Sequence, residues 1–156
     1  MVRAIDRKCC FFIGHREALR EIYPALLAEV ERHISELGVT QFVVGHYCGF
    51  DRLAAEAVME AKTMHKGIEL VLLLPYHPAE RPINKLDGFD YTYYPFTDET
   101  IPRSLAIVRA NRLMVEHANY LIAYIWHTAS NAANLLEYAR RRAGKGLLEI
   151  TLLKRG

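Results

Sequence analysis

A strand–turn–helix pattern occupies residues 42–62. An apolar run ends at Gly45, and a short polar turn follows it. From Asp51 onward, apolar residues recur at three- and four-residue intervals, which is the period of an amphipathic helix. The pattern therefore predicts a buried strand over 40–44 and a helix over 51–66, with Asp51 as the N-cap of that helix.

Apolar runs and helical periodicity alternate through the rest of the chain. The runs predict four further strands, at Lys8–Ile13, Ile68–Leu74, Asn119–Trp126 and Leu147–Leu153. The periodicity predicts three further helices, at about 16–37, from 103 or 104 to 117, and at about 131–143. Pro24 marks either the true first turn of the first helix or a kink in it. The segment 77–102 breaks the pattern with four prolines and several tyrosines, so we expect a partly ordered excursion with a short helix or strand.

This alternation predicts the fold class. Strands and helices that follow each other through short links are typical of an α/β protein. We expect a single Rossmann-like, doubly wound, mainly parallel sheet of about five strands, with helices on both faces. The length of 156 residues fits one domain over 1–156, with the Pro/Tyr-rich excursion at about 77–102.

Composition and charge exclude several classes of protein. Hydrophobic residues make up 51% of the chain and charged residues 24%, which argues against disorder. The net charge of +2 is too mild to predict nucleic-acid binding. No apolar run is long enough to span a membrane, and Asp6 and Arg7 stand where a secretory signal would be apolar. We therefore expect a cytoplasmic protein.

The three cysteines, Cys9, Cys10 and Cys48, do not form a disulfide framework. Adjacent residues of a strand point to opposite faces, so Cys9 and Cys10 are poorly placed to bind one metal ion. We expect buried, reduced thiols and no metal site.

Polar or glycine-rich turns follow three of the four predicted strands before the last one. Ligands in open α/β sheets bind beyond the carboxyl ends of the strands, near the point where strand order reverses. After the first strand, His15 and Arg16 supply either a cation for a phosphate or a turn-capping histidine and a surface arginine. In the next turn, Gly45 and Gly49 allow close backbone approach, and Asp51 either accepts from ribose hydroxyls, caps its helix, or does both.

Two later segments add candidate ligand-binding residues. The helical segment 109–112 interrupts an apolar stripe with two arginines, which form either a solvated face or a positive wall beside a phosphate. The turn 127–131 offers hydroxyl and N–H groups to an anion, or supplies an ordinary N-cap. The candidate ligand-binding residues are Gly14, His15, Arg16, Gly45, Gly49, Asp51, Arg109, Asn111, Arg112, Thr128, Ser130 and Asn131.

No arrangement of residues in the sequence is typical of a catalytic centre. There is no serine elbow, no metal-ligand spacing and no pair of carboxylates in a common turn. The best acid/base candidates are Asp51, Glu56 and His15, and the sequence identifies no partner for any of them. It also identifies no cofactor.

Five blocks of the sequence, in their order and spacing, resemble the YpsA-like branch of the SLOG superfamily. They are FFIGHRE (11–17), GHYCGFDRLAAEAV (45–58), LLLPY (72–76), RANRLMVEHANYLIAY (109–124) and NAANLLEYA (131–139). That Rossmann-like superfamily includes DprA and the LOG (cytokinin-activating) proteins. The resemblance implies a pocket at the strand carboxyl ends for a nucleotide or nucleotide-derived ligand, lined or shaped by residues 14–16, 45, 49, 51, 109, 111 and 112. It also implies a bacterial protein, because the family has been linked to bacterial cell-envelope and division processes.

The chain departs from the LOG enzymes at one loop. Those relatives hydrolyse nucleoside monophosphates with a Pro-Gly-Gly-x-Gly-Thr-x-x-Glu loop, whereas residues 126–134 here are WHTASNAAN. Loss of the glycines removes the close backbone approach to phosphate, and loss of the glutamate removes the expected acid/base group. The resemblance therefore favours a nucleotide-binding sensor or regulator. The alternative is a LOG-like nucleotide N-glycosidic-bond hydrolase, and a weaker alternative is DprA-like binding of single-stranded DNA.

The predicted partner is a nucleotide-derived small molecule. We expect no membrane partner, and we expect nucleic acid to be an unfavoured partner because the charge is mild and no basic stripe is interleaved with aromatic residues. A homodimer is a further candidate assembly, because apolar and aromatic residues in 89–96 need covering.

Overall fold

Strands and helices alternate along the chain in the computed structural model, which describes residues 8–45, 49–77, 79, 88–96, 101–126 and 131–154. Within these residues the strands are β1 (Cys9–Gly14), β2 (Gln41–Val44), β3 (Glu69–Leu73), β4 (Tyr91–Tyr93), β5 (Tyr120–Tyr124) and β6 (Glu149–Leu152). The helices are α1 (Tyr23–Ser35), α2 (Gly49–Lys62), α3 (Arg103–His117) and α4 (Asn131–Gly144). A single 3₁₀ turn, Arg20–Ile22, leads into α1.

The strands form one parallel sheet in the order β4-β3-β2-β1-β5-β6. Because β1 pairs with β2 on one side and with β5 on the other, the direction of winding reverses between β1 and β5. This topology confirms the predicted α/β, Rossmann-like fold, with six strands where about five were expected. The additional strand is β4, which lies inside the irregular segment and pairs with Val71–Leu73 of β3.

The sheet separates two hydrophobic cores, and alternate residues of β1 contribute to each. Cys10 and Phe12 pack on the α1 and α2 face, whereas Cys9 and Phe11 pack on the α3 and α4 face. The two cysteines are therefore buried, free and on opposite faces, as predicted. Burial raises the pKa of the Cys9 thiol to about 12 and that of Cys10 well above its ordinary value, so both are uncharged thiols at neutral pH. Cys48 lies outside the described residues.

The starts of α1 and α2 differ from the predicted ones, whereas α3 and α4 begin where the sequence predicted. α1 begins at Tyr23, and Pro24 lies in its first turn, where the missing N–H of proline costs nothing. α2 begins at Gly49, so the prediction of Asp51 as N-cap is wrong: Asp51 lies inside the first turn. The reason is tertiary, since the N–H groups of Gly49 and Phe50 donate to the backbone carbonyls of residues 16 and 15, at 3.1 and 3.3 Å. A neighbouring segment thus satisfies the first donors of the helix.

The aromatic residues around β4 are covered by the chain itself. Phe89, Tyr91, Tyr93 and Phe96 are all buried within the two cores. The expectation that this segment needs a second copy to cover it therefore loses its basis. None of the described helices has both the length and the apolar character needed to cross a membrane.

Candidate functional site

A cleft of about 620 Å³ opens at the carboxyl edge of the sheet. Its floor is the end of β1, one wall is α3, and the first turn of α4 and the residues after β2 and β3 complete it. The cleft spans the region where β1 lies between β2 and β5, which is where open α/β sheets bind ligands. Its volume is in the range of small-molecule sites.

Two arginines from different elements line this cleft. Arg16 follows β1 in an irregular connection, and Arg112 projects from α3, where its guanidinium lies 5.1 Å from the centre of the Tyr138 ring. Both residues are exposed. Within the described part of the chain, neither is paired with a carboxylate. Glu17 and Asp51 also line the cleft, but neither forms an ion pair with these two guanidinium groups, which can therefore donate to an anionic ligand.

Amide side chains and a helix start lie on the same wall. Asn111 of α3 and Asn131 and Asn134 of α4 line the cleft, and Asn131 is the first residue of α4. Amides donate to and accept from sugar hydroxyls and phosphate oxygens. The sequence singled out Asn111 and Asn131 but missed Asn134, which one helical turn places beside Asn131. The predicted residues Thr128 and Ser130 lie outside the described residues.

Gly14 and Gly45 lie at the cleft, whereas Gly49 does not line it. A Cβ on Gly14 would overlap the buried ring of Phe50, and a Cβ on Gly49 would overlap the backbone carbonyl of Arg16. Both Gly14 and Gly49 thus allow the first turn of α2 to pack directly on the end of β1. The overlap with these protein atoms is enough to explain why positions 14 and 49 require glycine.

Glu56 and Arg109 lie away from the cleft. Glu56 forms a two-point ion pair with Arg20 on the outer surface, with N–O distances of 2.9 and 2.6 Å. The hydrogen bond from Arg20 lowers the pKa of Glu56, which keeps this carboxylate ionised. Arg109 is exposed on α3 but does not line the cleft. Of Arg109 and Arg112, only Arg112 therefore lines the cleft.

His15 is buried and joins the ends of β1 and β5. Its Nε2 accepts a hydrogen bond from the backbone N–H of Trp126 at 3.0 Å, and the two rings meet edge-on with centroids 5.3 Å apart. Accepting through Nε2 requires the neutral tautomer that carries its hydrogen on Nδ1. His15 lines the cleft, but its Nε2 is occupied by a structural contact.

Asp51 is the second acid/base candidate, after His15, that lines the cleft. It is 9% exposed and sits in the first turn of α2, where the positive end of the helix dipole favours the ionised carboxylate. An ionised carboxylate there can accept hydrogen bonds from ribose hydroxyls. Among the described residues, no group of three or more His, Cys, Asp or Glu side chains could hold a metal ion.

The sequence reasoning missed Trp126. This residue follows β5, and the signal that could have revealed it is a lone tryptophan placed directly after a buried strand, at the ligand-binding edge of the sheet.

Comparison with protein-family models gives no match, and comparison with curated proteins gives none either. Among solved structures, the chain is similar to DNA processing protein A from Helicobacter pylori, described as having a unique single-stranded DNA binding mode. The TM-score is 0.58 at 16% sequence identity, and the match covers 95% of this chain but only 66% of that one.

This similarity corrects one prediction. A protein with the same fold binds single-stranded DNA, so the expectation that nucleic acid is an unfavoured partner is wrong: mild net charge does not exclude it. At this identity the similarity establishes the fold alone. The YpsA-like branch stays a prediction from the sequence. The chain therefore has the α/β fold of DNA processing protein A.

Proposed function

We propose that the chain binds a nucleotide-derived small molecule in this cleft and acts as a sensor or regulator. One observation carries the proposal: Arg16 and Arg112 line a single cleft from two different elements, and neither has a carboxylate partner in the described chain. A phosphate placed between them would accept charge-assisted hydrogen bonds from both guanidinium groups.

The remaining cleft residues suit the rest of a nucleotide. Asp51 can accept from ribose hydroxyls, and the α3 and α4 amides can bind either the sugar or the phosphate. A regulatory role is favoured over hydrolysis because Glu56 is held on the outer surface by Arg20 and His15 uses its Nε2 in a backbone contact. The resemblance to the YpsA-like branch supports the same assignment.

Calorimetric titration with AMP, ADP, NAD and ADP-ribose tests this proposal. Arg16→Ala and Arg112→Ala should each weaken binding by about tenfold or more, because each removes hydrogen bonds to a charged group. Arg141→Ala is the matched control, since Arg141 is an exposed arginine of α4 that does not line the cleft. Unchanged affinity in the Arg16/Arg112 double variant would refute the assignment. Chromatography of the mixtures separates the two functions, since intact ligand supports a sensor and released base supports a hydrolase.

Single-stranded DNA binding is a second candidate function, and an aromatic cluster at the ends of β3 and β4 favours it. The cluster consists of Tyr76, His77 and Tyr94, and the Tyr94 ring packs edge-on against the buried ring of Phe96. The rings of His77 and Tyr94 meet edge-on at 5.3 Å, and the guanidinium of Arg103 lies 5.8 Å from the centre of the Tyr76 ring. Pro75 and Ser104, the chain neighbours of Tyr76 and Arg103, line the cleft, so the cluster borders its far end. Bases of single strands stack on aromatic side chains and on arginine.

Fluorescence anisotropy with a labelled oligothymidine tests the second candidate. Binding should weaken steeply between about 50 and 200 mM salt, because phosphate contacts release counterions. A Tyr76→Ala/His77→Ala variant should lose oligonucleotide affinity while its affinity for AMP stays unchanged, because neither residue is among those that line the cleft. No anisotropy change at the low-salt end of this range would exclude this candidate.

A further inference from the structure

The only tryptophan of the chain, Trp126, is 39% exposed at the carboxyl end of β5. Tryptophan is the largest aromatic residue, and burying it in a core would remove much apolar surface from water. Partial exposure of a large aromatic ring is common where one face serves a ligand or partner. The location of Trp126 therefore decides what its exposed surface can contact.

Two contacts fix Trp126 beside the cleft. Its backbone N–H donates to Nε2 of His15 at 3.0 Å, and its indole meets the His15 ring edge-on with centroids 5.3 Å apart. Trp126 does not itself line the cleft, but its indole packs against His15, which does, on the β5 side of the switch between β1 and β5.

The aromatic rings that line the cleft itself are covered. Phe11 and Phe12 are each 1% exposed, and His15 is 3% exposed. None of these rings offers a face to a ligand. At the carboxyl ends of β1 and β5, Tyr124 is 2% exposed, whereas Trp126 is an aromatic side chain with exposed surface.

We infer that Trp126 stacks on the base of the nucleotide whose phosphate is held by Arg16 and Arg112, an inference that rests on the proposed function. Gly14 and Tyr124 are paired at the ends of β1 and β5, where adjacent strands lie about 4.8 Å apart, and Arg16 and Trp126 each follow one of these strand ends by two residues. A single nucleotide is long enough to bridge two neighbouring strand ends. Stacking strength grows with ring area, so the preferred ligand is a purine nucleotide.

Intrinsic fluorescence and calorimetry, with ribose 5-phosphate, AMP and UMP as probes, test the inference on the full chain. Because the chain has one tryptophan, any change in tryptophan emission reports on residue 126. AMP should quench the emission more strongly than UMP, and ribose 5-phosphate should leave it unchanged. Trp126→Ala should weaken AMP binding by about 5- to 100-fold, which is the usual contribution of one stacked base, without changing the affinity for ribose 5-phosphate.

Matched variants separate stacking from loss of structure and from failure of the phosphate site. Trp126→Phe keeps an aromatic ring and should recover much of the AMP affinity, whereas Arg112→Ala should weaken AMP and ribose 5-phosphate alike. Equal AMP affinity in the wild type and in Trp126→Ala, with unchanged emission, would overturn the stacking inference and leave the phosphate site standing. Absence of binding of both AMP and ribose 5-phosphate to the wild type would overturn the proposed function and the inference together.

Discussion

The backbone N–H of Trp126 donates a hydrogen bond to Nε2 of His15, and these residues are 111 positions apart in the chain. The contact joins the ends of β1 and β5 beside the cleft. His15→Phe keeps a ring in this buried position but removes the acceptor, so we expect the free energy of unfolding to fall by about 1–3 kcal/mol. Urea denaturation measures this change. His15→Gln can present an amide oxygen near the position of Nε2 and should lose less, and equal losses in the two variants would contradict a specific role for the hydrogen bond.

Glycine is required where α2 packs on the end of β1. A Cβ on Gly14 would overlap the Phe50 ring, which is fully buried and has no room to move, so Gly14→Ala should cost about 1–3 kcal/mol of stability. Gly49→Ala should cost at least as much, because the overlapping atom is a backbone oxygen.

Gly144→Ala is the matched control for both glycine variants. Nothing lies within 4 Å of a Cβ at Gly144, and alanine suits a helix better than glycine does. Thermal unfolding of the three variants should therefore give two lowered midpoints and one that is unchanged or raised. A Gly14→Ala variant as stable as the wild type would show that this junction tolerates a side chain.

Asp51 and Glu56 should respond differently to neutralisation. Asp51→Asn changes a residue that lines the cleft, so we expect weaker binding of AMP, which carries ribose hydroxyls, and no change for inorganic phosphate. Glu56→Gln should leave both affinities unchanged, because Glu56 is paired with Arg20 outside the cleft. Calorimetry of the two variants measures the difference. An effect of Glu56→Gln on AMP affinity would contradict the placement of the site.

His33 should make stability depend on pH. Its ring is buried on α1, Nδ1 donates to the Glu29 carbonyl, and Nε2 has no hydrogen-bond partner in the described chain. Burial lowers the pKa of His33 in the folded protein. As the pH falls below about 6.5, His33 therefore becomes protonated in the unfolded chain while it stays neutral in the folded protein, and this favours unfolding. This contribution to stability is complete above that pH and is lost as the pH falls towards the folded-state pKa.

Denaturation in guanidinium chloride between about pH 7.5 and 5.5 measures this dependence. As the pH falls, the free energy of unfolding of the wild type should decrease through His33 by at most about 1.4 kcal/mol per pH unit. In His33→Leu the free energy of unfolding should depend less steeply on pH. His117→Gln, at an exposed position at the end of α3, is the matched control. An identical slope in the wild type and in His33→Leu would show that His33 does not control this dependence.

Local pattern predicted most of the elements well. Apolar runs located β1, β2, β3, β5 and β6, and helical periodicity located all four helices, because the period of apolar residues records which side of each element faces a core. The predicted starts of α1 and α2 were less accurate than those of α3 and α4. The donors at the start of α2 are satisfied by carbonyls of residues 15 and 16, which no local rule connects to that helix.

The candidate site was predictable in part. Parallel strands end at one edge of the sheet, so residues that follow different strands are expected to meet there, and Arg16, Gly45 and Asp51 do line one cleft. That they bind a ligand stays a prediction. It could not separate Arg112 from Arg109, because their directions depend on how α3 rotates against the sheet. The rule also gave no reason to exclude Glu56 from the acid/base candidates. Its ion pair with Arg20 joins residues that are 36 positions apart in the sequence, so local patterns do not reveal it.

The chain's own residue order thus determined its fold class, the positions of its elements and the edge at which a ligand would bind, since short-range periodicity and parallel strand direction are enough for those. Tertiary structure alone decided that β4 pairs with β3, that Trp126 meets His15, and which polar residues face the cleft. Each of these depends on contacts between segments far apart in sequence, and their geometry exists only once both cores are packed.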